Sequence, residues 1–303
     1  MQSSATLRIG TRGSPLALAQ VRLLRERLAT LGLGGEVEVK VIKTSGDIIQ
    51  GSLADEGGKG LFTKEIEEAL LADAIDLAVH SAKDVPTQLP RGLMLAAYLP
   101  REDARDVFLS HKAASIAALA RGASVGTSSP RRAAMVKRAR PDVTIVPLRG
   151  NVETRLRKLE DGVADATILA LAGLKRLGLE ARATSIMSID EFLPAAGQGA
   201  IAIETREDDA AIRALLAQID DADTSIALSC ERAFLDVLDG TCKTPIAAHA
   251  SLFGPSLQFH GLIVKPDGSA AHDIAGTGTR ADAVKIGAEA GRELKARAGP
   301  GFF

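Results

Sequence analysis

The residues best suited to chemistry in this sequence sit where short apolar runs end and amphipathic stretches begin. After the first run come Thr11, Arg12 and Ser14, and after Asp76–Val79 come His80, Ser81, Lys83 and Asp84. Ser124–Gly126 is followed by Thr127, Ser128, Ser129, Arg131 and Arg132. Thr144–Leu148 is followed by Arg149, Gly150, Asn151 and, a helical turn on, Arg155. Lys175 and Arg176 follow Ala166–Ala170. In open α/β sheets ligands bind beyond the carboxyl ends of strands, beside helix N-termini. Nearly every such junction here carries a cation, and the acidic residues fall mainly on expected outer helix faces. Arginine stays charged and grips a carboxylate bidentately. The pattern therefore points to a small ligand bearing several carboxylates or phosphates.

Three further groups are ambiguous as single residues. Asp84, beside Lys83 and just before Val85-Pro86, can be an acid–base group or a turn-capping carboxylate, a frequent use of Asp. His80 ends an apolar run, where a satisfied core histidine is the ordinary outcome. Cys242 lies in a loop beside Lys243, the cationic setting that makes a thiol nucleophilic, although an incidental exposed thiol fits too. Cys230 shares a helical stripe with Ile226, Phe234 and Leu238 and reads as a core thiol. The five histidines have no ligand spacing and no Cys-x-x-Cys occurs, so no metal site is expected.

The elements that must position these groups follow from periodicity. Leu7–Thr11, Val37–Val41, Asp76–Ser81 and Leu93–Leu99 read as strands. Ser14-Pro15 starts a helix to about Leu31, and Leu61–Leu71 reads as another. The pattern restarts after Pro100, with strands at Asp106–Ser110, Ser124–Thr127, Thr144–Leu148 and Ala166–Ala170. Helices are expected at Ser115–Ala120, from Ser129-Pro130 to Ala139, and from Asn151 to Leu159. Such alternation predicts parallel sheets with crossover helices, in two α/β domains flanking a cleft. From Asp208 the pattern changes to helices at Asp208–Ile219 and Thr224–Leu238. Strands at Ile246–Leu252 and Leu257–Val264 and a helix at Ala281–Ala298 follow. That is a small α+β third domain.

Composition limits the partners. Lys and Arg number 37 against 38 Asp and Glu, and one Tyr, eight Phe and no Trp leave little for bases to stack on. No nucleic-acid partner is expected. The N-terminus lacks a basic, apolar leader and no 18-residue apolar run occurs, so a cytoplasmic protein without a membrane is expected. No Gly-x-x-x-x-Gly-Lys-Ser/Thr phosphate loop is present.

Nine segments in order carry a resemblance. They are Leu7–Gln20 (LRIGTRGSPLALAQ), Gly57–Phe62 (GGKGLF), Val79–Pro86 (VHSAKDVP), Arg101–Asp106 (REDARD) and Gly126–Arg132 (GTSSPRR). Leu148–Leu156 (LRGNVETRL), Ala170–Leu177 (ALAGLKRL), Leu193–Glu204 (LPAAGQGAIAIE) and Glu231–Pro245 (ERAFLDVLDGTCKTP) complete them. In these the sequence resembles the porphobilinogen deaminase (hydroxymethylbilane synthase) family. The resemblance implies two lobes similar to periplasmic binding proteins, 1–99 with 200–220 and 100–199, and a third domain at 221–303. It implies a dipyrromethane cofactor in thioether linkage to Cys242. On it, a monomer would condense four porphobilinogens head to tail, releasing ammonia each time, and then hydrolyse off a linear tetrapyrrole. Arg12, Lys83, Arg131, Arg132, Arg149, Arg155 and Arg176 match the family's carboxylate partners. Ser14, Ser81, Thr127, Ser129 and Gln198 match its polar contacts, and Asp84 its catalytic aspartate.

The sequence also departs from the family. Thr241 stands where a second glycine commonly precedes the cysteine, Pro130 replaces a usual Leu, and Asp55 lies in the glycine-rich stretch. Gly46–Gly58 is expected to form a mobile lid. Two other readings compete: a binding protein without catalysis, and a nucleic-acid surface along Arg131, Arg132, Lys137, Arg138 and Arg140.

Overall fold

Local signals account for most elements. A computed structural model describes residues 6–33, 35–48, 60–239 and 244–302. In chain order the elements are β1 (Leu7–Thr11), α1 (Pro15–Thr30), β2 (Val37–Val41), α2 (Ser45–Ile48), α3 (Lys64–Leu71), β3 (Leu77–Ser81) and β4 (Leu93–Tyr98). Then come β5 (Asp106–Ser110), β6 (Ser124–Gly126), α4 (Pro130–Ala139), β7 (Thr144–Val146), α5 (Val152–Glu160), β8 (Ala166–Ala170), α6 (Leu171–Arg176) and β9 (Ser185–Ile186). The rest are β10 (Ile201–Arg206), α7 (Ala210–Leu216), α8 (Ala222–Val237), β11 (Ile246–Phe253), β12 (Ser256–Val264), β13 (Ala271–Thr279) and α9 (Ala283–Ala298).

The chain divides into two compact units. Of the described residues, the first takes those up to Glu102 together with Ala200–Ser225, and the second takes Asp103–Gly199 together with those from Ile226 onward. The first unit holds a five-stranded sheet in the order β2-β1-β3-β10-β4. One face carries Ile9, Leu77, Val79, Ile201 and Ile203 against Leu24 and Leu28 of α1 and Leu216 of α7. On the other face, Ile66 and Leu70 of α3 cover Ala78 and Leu93. Side chains on β3 thus alternate between α1 and α3, the period-two rule for strands.

The second unit contains a five-stranded sheet, β7-β6-β8-β5-β9, and a three-stranded antiparallel sheet, β11-β12-β13. Phe108 and Ile168 of the first share a core with Ala247 and Val264 of the second. Helices α8 and α9 cover the small sheet, with Phe234 edge-on to Phe259 at 5.1 Å. The expected α/β class with a small α+β portion at the C-terminus is what the structure has.

The expectation of parallel sheets holds for β1 with β2 and β3 and for β6 with β7 and β8, and is corrected for the rest. Strand β10 runs antiparallel between β3 and β4, and β5 runs antiparallel to both β8 and β9. Each sheet is completed by chain returning from distant sequence, which local periodicity cannot orient. The helix expected at Ser115–Ala120 is a series of turns instead. The Arg140 guanidinium takes the carbonyls of Ile116, Ala117 and Leu119, competing with the helical pattern.

Helix α9 crosses α8 at glycine. A Cβ on Gly287 would lie 2.0 Å from the Cys230 carbonyl oxygen, and one on Gly291 would lie 2.9 Å from the Val237 Cβ. Backbone cannot yield as a flexible side chain can. Gly287→Val is therefore expected to destabilise the second unit by roughly 1–3 kcal/mol or more, the overpacking range. Urea unfolding midpoints check this, and a midpoint equal to the parent's would contradict the close crossing.

Candidate functional site

In the first unit the polar groups collect at the C-terminal ends of β1 and β3. Ser14 caps α1: its hydroxyl accepts the Ala17 N–H at 3.2 Å, and Pro15 opens the helix where no N–H is needed. Arg12 makes a side-on fork with Asp47 of α2, its Nε donating at 3.1 Å and its Nη2 also bonded. The guanidinium lies 4.3 Å from the centre of the Phe62 ring. Thr44 donates its hydroxyl and its N–H to Asp47 Oδ2 at 2.8 and 3.2 Å. Burial pushes the Asp47 carboxyl up, but Arg12 and Thr44 outweigh it and hold the group below the usual range.

Strand β3 delivers the Asp84 segment. Gln20 Nε2 of α1 donates to Ser81 Oγ at 2.8 Å, and the Ala82 N–H donates to the Ala200 carbonyl at 3.0 Å. A 3₁₀ turn, Ala82–Asp84, then sets Lys83 and Asp84 half-buried. His80 points to the opposite face, with Nε2 at 3.0 Å from Glu204 Oε2 of β10. Both side chains are buried, so His80 is a paired core residue, as its position after an apolar run suggested.

In the second unit Ser129 caps α4, accepting the Arg132 N–H at 3.4 Å. Thr127 Oγ1 accepts the Ser129 N–H at 3.1 Å. Arg131 and Arg132 turn inward and are 4% and 5% exposed. Their Nη2 groups donate to separate oxygens of Asp106 at 2.6 and 2.7 Å. Gln198 Nε2 joins Asp106 at 2.9 Å and the Ala104 carbonyl at 2.7 Å. Arg131 also donates to the Leu193 carbonyl at 2.7 Å. Burial pushes the Asp106 carboxyl up, yet the two guanidiniums hold it far below the usual range. Two cations thus face one anion in a buried place, and the Nε groups of both arginines have no partner among the described residues.

Arg149 and Arg155 flank a tight turn. Gly150 has φ of +117°, and a Cβ there would meet the Thr154 side chain at 2.6 Å. Asn151 caps α5 by accepting the Thr154 N–H at 2.8 Å, while Arg155 Nε donates to the Gly150 carbonyl at 2.7 Å. Arg176 Nη2 donates to the Gly199 carbonyl at 2.6 Å. Glu231 of α8, fully buried, accepts the Gly197 N–H at 2.6 Å and the Ala250 N–H at 2.7 Å. It thereby fixes the loop that carries Gln198.

Cys242, Thr241, Asp55 and most of the segment 46–58 lie outside the described residues. Cys230 is buried, and burial, with Glu231 beside it, pushes its thiol up to about 12, which leaves it inert. The acids expected mainly on outer helix faces have exceptions: Asp106, Glu204 and Glu231 are fully buried, and Asp47 holds a junction cation. Arg131 and Arg132 are interior, Lys137 is bound to the Pro141 and Val143 carbonyls, and Arg140 is held by Asp142. The basic run therefore makes no continuous surface stripe. Asp106, Glu231, Glu204 and Asp47 escaped sequence reasoning. Asp106 alone left a signal, as the carboxylate opening an otherwise apolar strand.

Comparisons with known proteins agree along the chain. The family model described as "Porphobilinogen deaminase, dipyromethane cofactor binding domain" matches residues 7–214, and "Porphobilinogen deaminase, C-terminal domain" matches 225–296. Porphobilinogen deaminase of Nitrobacter hamburgensis is 58% identical over 97% of this chain and 94% of its own length. The chloroplastic porphobilinogen deaminase of rice, Oryza sativa subsp. japonica, is 52% identical over 98% of this chain and 85% of its own. Among solved structures, an ABC-transporter periplasmic substrate-binding protein from Coxiella burnetii aligns at 15% identity and a TM-score of 0.46. That alignment covers 71% of this chain and 92% of the other. On the two family models and the near full-length relatives, the chain belongs to the porphobilinogen deaminase family.

Proposed function

We propose that this chain is a hydroxymethylbilane synthase, a transferase of tetrapyrrole biosynthesis. It condenses four porphobilinogens head to tail with release of ammonia, on a covalently held dipyrromethane, and hydrolyses off the linear product. The observation that carries this reading is the buried Arg131–Asp106–Arg132 cluster. It holds two cations to one anion, and two buried Nε–H groups have no acceptor among the described residues. An unmet buried donor costs about 1–3 kcal/mol, so an anionic guest is favoured there. The pyrrole acetates and propionates of a dipyrromethane are such acceptors, and the donor set fits them.

When bound, the dipyrromethane supplies a pyrrole α-carbon to which each new unit is joined. Cys242 is its attachment point, as Cys230 is buried and inert. Arg12, Lys83, Arg149, Arg155 and Arg176 serve as further carboxylate partners at the strand ends. Ser14 and Ser129 accept helix N–H groups and keep their own O–H to donate, at helix ends that favour anions. Ser81, Thr127 and Gln198 supply the remaining polar contacts. As the aminomethyl C–N bond of porphobilinogen breaks, ammonia leaves and positive charge develops on the pyrrole. The Asp84 carboxylate stabilises that charge and afterwards takes the α-proton displaced by the new C–C bond.

We read the working molecule as a cytoplasmic monomer with porphobilinogen as its partner, and without nucleic acid or membrane. Its domains are 1–99 with 200–220, 100–199, and 221–303. Among the described residues no helix is long and apolar enough to cross a membrane. Intact-protein mass spectrometry tests the assignment. The parent and Cys230→Ser should carry the added mass of a dipyrrole, and Cys242→Ser should lack it and be inactive. An unmodified mass in active protein overturns the reading.

A further inference from the structure

Three consecutive residues ahead of Asp84 are pinned by three different groups. His80 is held from the α3 side by Glu204 at 3.0 Å. Ser81 is held from the α1 side by Gln20 at 2.8 Å. Ala82 is held along the sheet by the Ala200 carbonyl at 3.0 Å. The next two residues are Lys83 and Asp84, in the turn that ends at Val85, whose N–H closes on the Ala82 carbonyl at 3.3 Å.

The first of these anchors is costly to build. His80 and Glu204 are 4% and 0% exposed, in a part of the sheet whose neighbours are Ala78, Ile66 and Leu70. Glu67 of α3 faces the same pair: burial pushes its carboxyl up, and the charge of Glu204 adds to that. One carboxylate oxygen on Glu67 and one on Glu204 are buried without a partner among the described residues. Apolar side chains of similar volume are commonly as stable as a buried hydrogen-bonded polar pair, or more so. What apolar packing cannot supply is a directional bond fixing the rotation of β3 two residues before the turn.

We propose that Glu204 and His80, with Gln20 on the opposite face, are positioning residues for the reaction, setting the place of the Asp84 carboxylate. They touch neither substrate nor cofactor. Their effect passes through the β3 backbone, and the inference rests on Asp84 being the catalytic carboxylate. Since catalysis depends on placement within a fraction of an ångström, loosening the anchor slows the chemical step while leaving ground-state binding nearly intact.

Steady-state kinetics on cofactor-loaded Glu204→Met and His80→Leu test this, with melting temperatures in parallel. The expected result is a fall in kcat of about tenfold or more with KM within about twofold of the parent. The double variant should fall no further than either single one, because both remove the same bond. Gln20→Met, which loosens the same strand end from the other face, covers the case in which a Glu204 variant does not fold. It should show the same split. Parent kcat with only a lowered melting temperature, in the Glu204 or the Gln20 variant, overturns the proposal, as does an additive double variant. Asp84→Glu, measured alongside, separates the two failures. If it turns over at the parent rate, the role of Asp84 falls. If it is slow while the anchor variants are not, the positioning role alone falls.

Discussion

Asp106→Asn should unfold the second unit far more easily than the parent. The substitution keeps the shape of the side chain but removes the single negative charge between two buried guanidiniums. Breaking a buried pair by removing one partner costs about 3–5 kcal/mol, because the remaining charge is left uncompensated. Here two cations are left, with Gln198 losing its ionic acceptor as well. For a unit of this size the loss corresponds to a fall in melting temperature on the order of 10 °C. The pH dependence has a defined sign. The folded-state pKa of Asp106 is depressed, so its contribution is complete above the unfolded value of about 3.9 and is lost as pH falls through the lower folded one. Parent and variant should therefore differ most near neutral pH and converge in acid. Asp106→Asn combined with Arg132→Met should regain part of the loss, since it removes one unpaired charge. Thermal melts across pH measure all three, and a neutral-pH melting temperature within about 2 °C of the parent's would refute the account.

How far this architecture could be read from sequence depended on the range of the forces involved. Helix starts at Ser14-Pro15, Ser129-Pro130 and Asn151 are local, since each cap bonds an N–H within three residues, and all three are observed. Strand β1 is likewise local. Strand β10 is not: its place between β3 and β4 is decided by sheet pairing with residues more than a hundred positions earlier. Strand β13 escaped because its sequence, AHDIAGTGT, is polar and glycine-rich, and only its pairing with β12 makes it a strand. The candidate site divides in the same way. Cations at strand ends were legible because topology alone places strand ends together. The carboxylates that hold them were not, because Asp106 meets Arg131 and Arg132 only after folding, and Asp47 meets Arg12 across two elements. Reading cations alone made the strand ends look uniformly basic. The structure makes them selectively basic, with Arg12 already engaged and the second unit's pair one charge in excess.

Asp84→Glu is expected to retain the dipyrrole mass yet turn over roughly a hundredfold more slowly. Charge is preserved, so attachment at Cys242, in another part of the chain, has no reason to fail. The carboxylate, however, is carried one methylene further on a 3₁₀ turn that cannot retreat. Ala82 is bonded to Ala200, Ser81 to Gln20, and His80 to Glu204. The side chain must therefore absorb the added length by moving its carboxylate. A misplacement of about 1 Å costs on the order of a hundredfold in rate. If the carboxylate acts on the charge that develops as ammonia leaves, the loss falls in kcat, with KM little changed. Were Asp84 only a ground-state partner of the substrate, KM would rise and kcat would hold. Single-turnover release of ammonia distinguishes the two, and a parent-like rate in the Glu variant removes Asp84 from the chemistry.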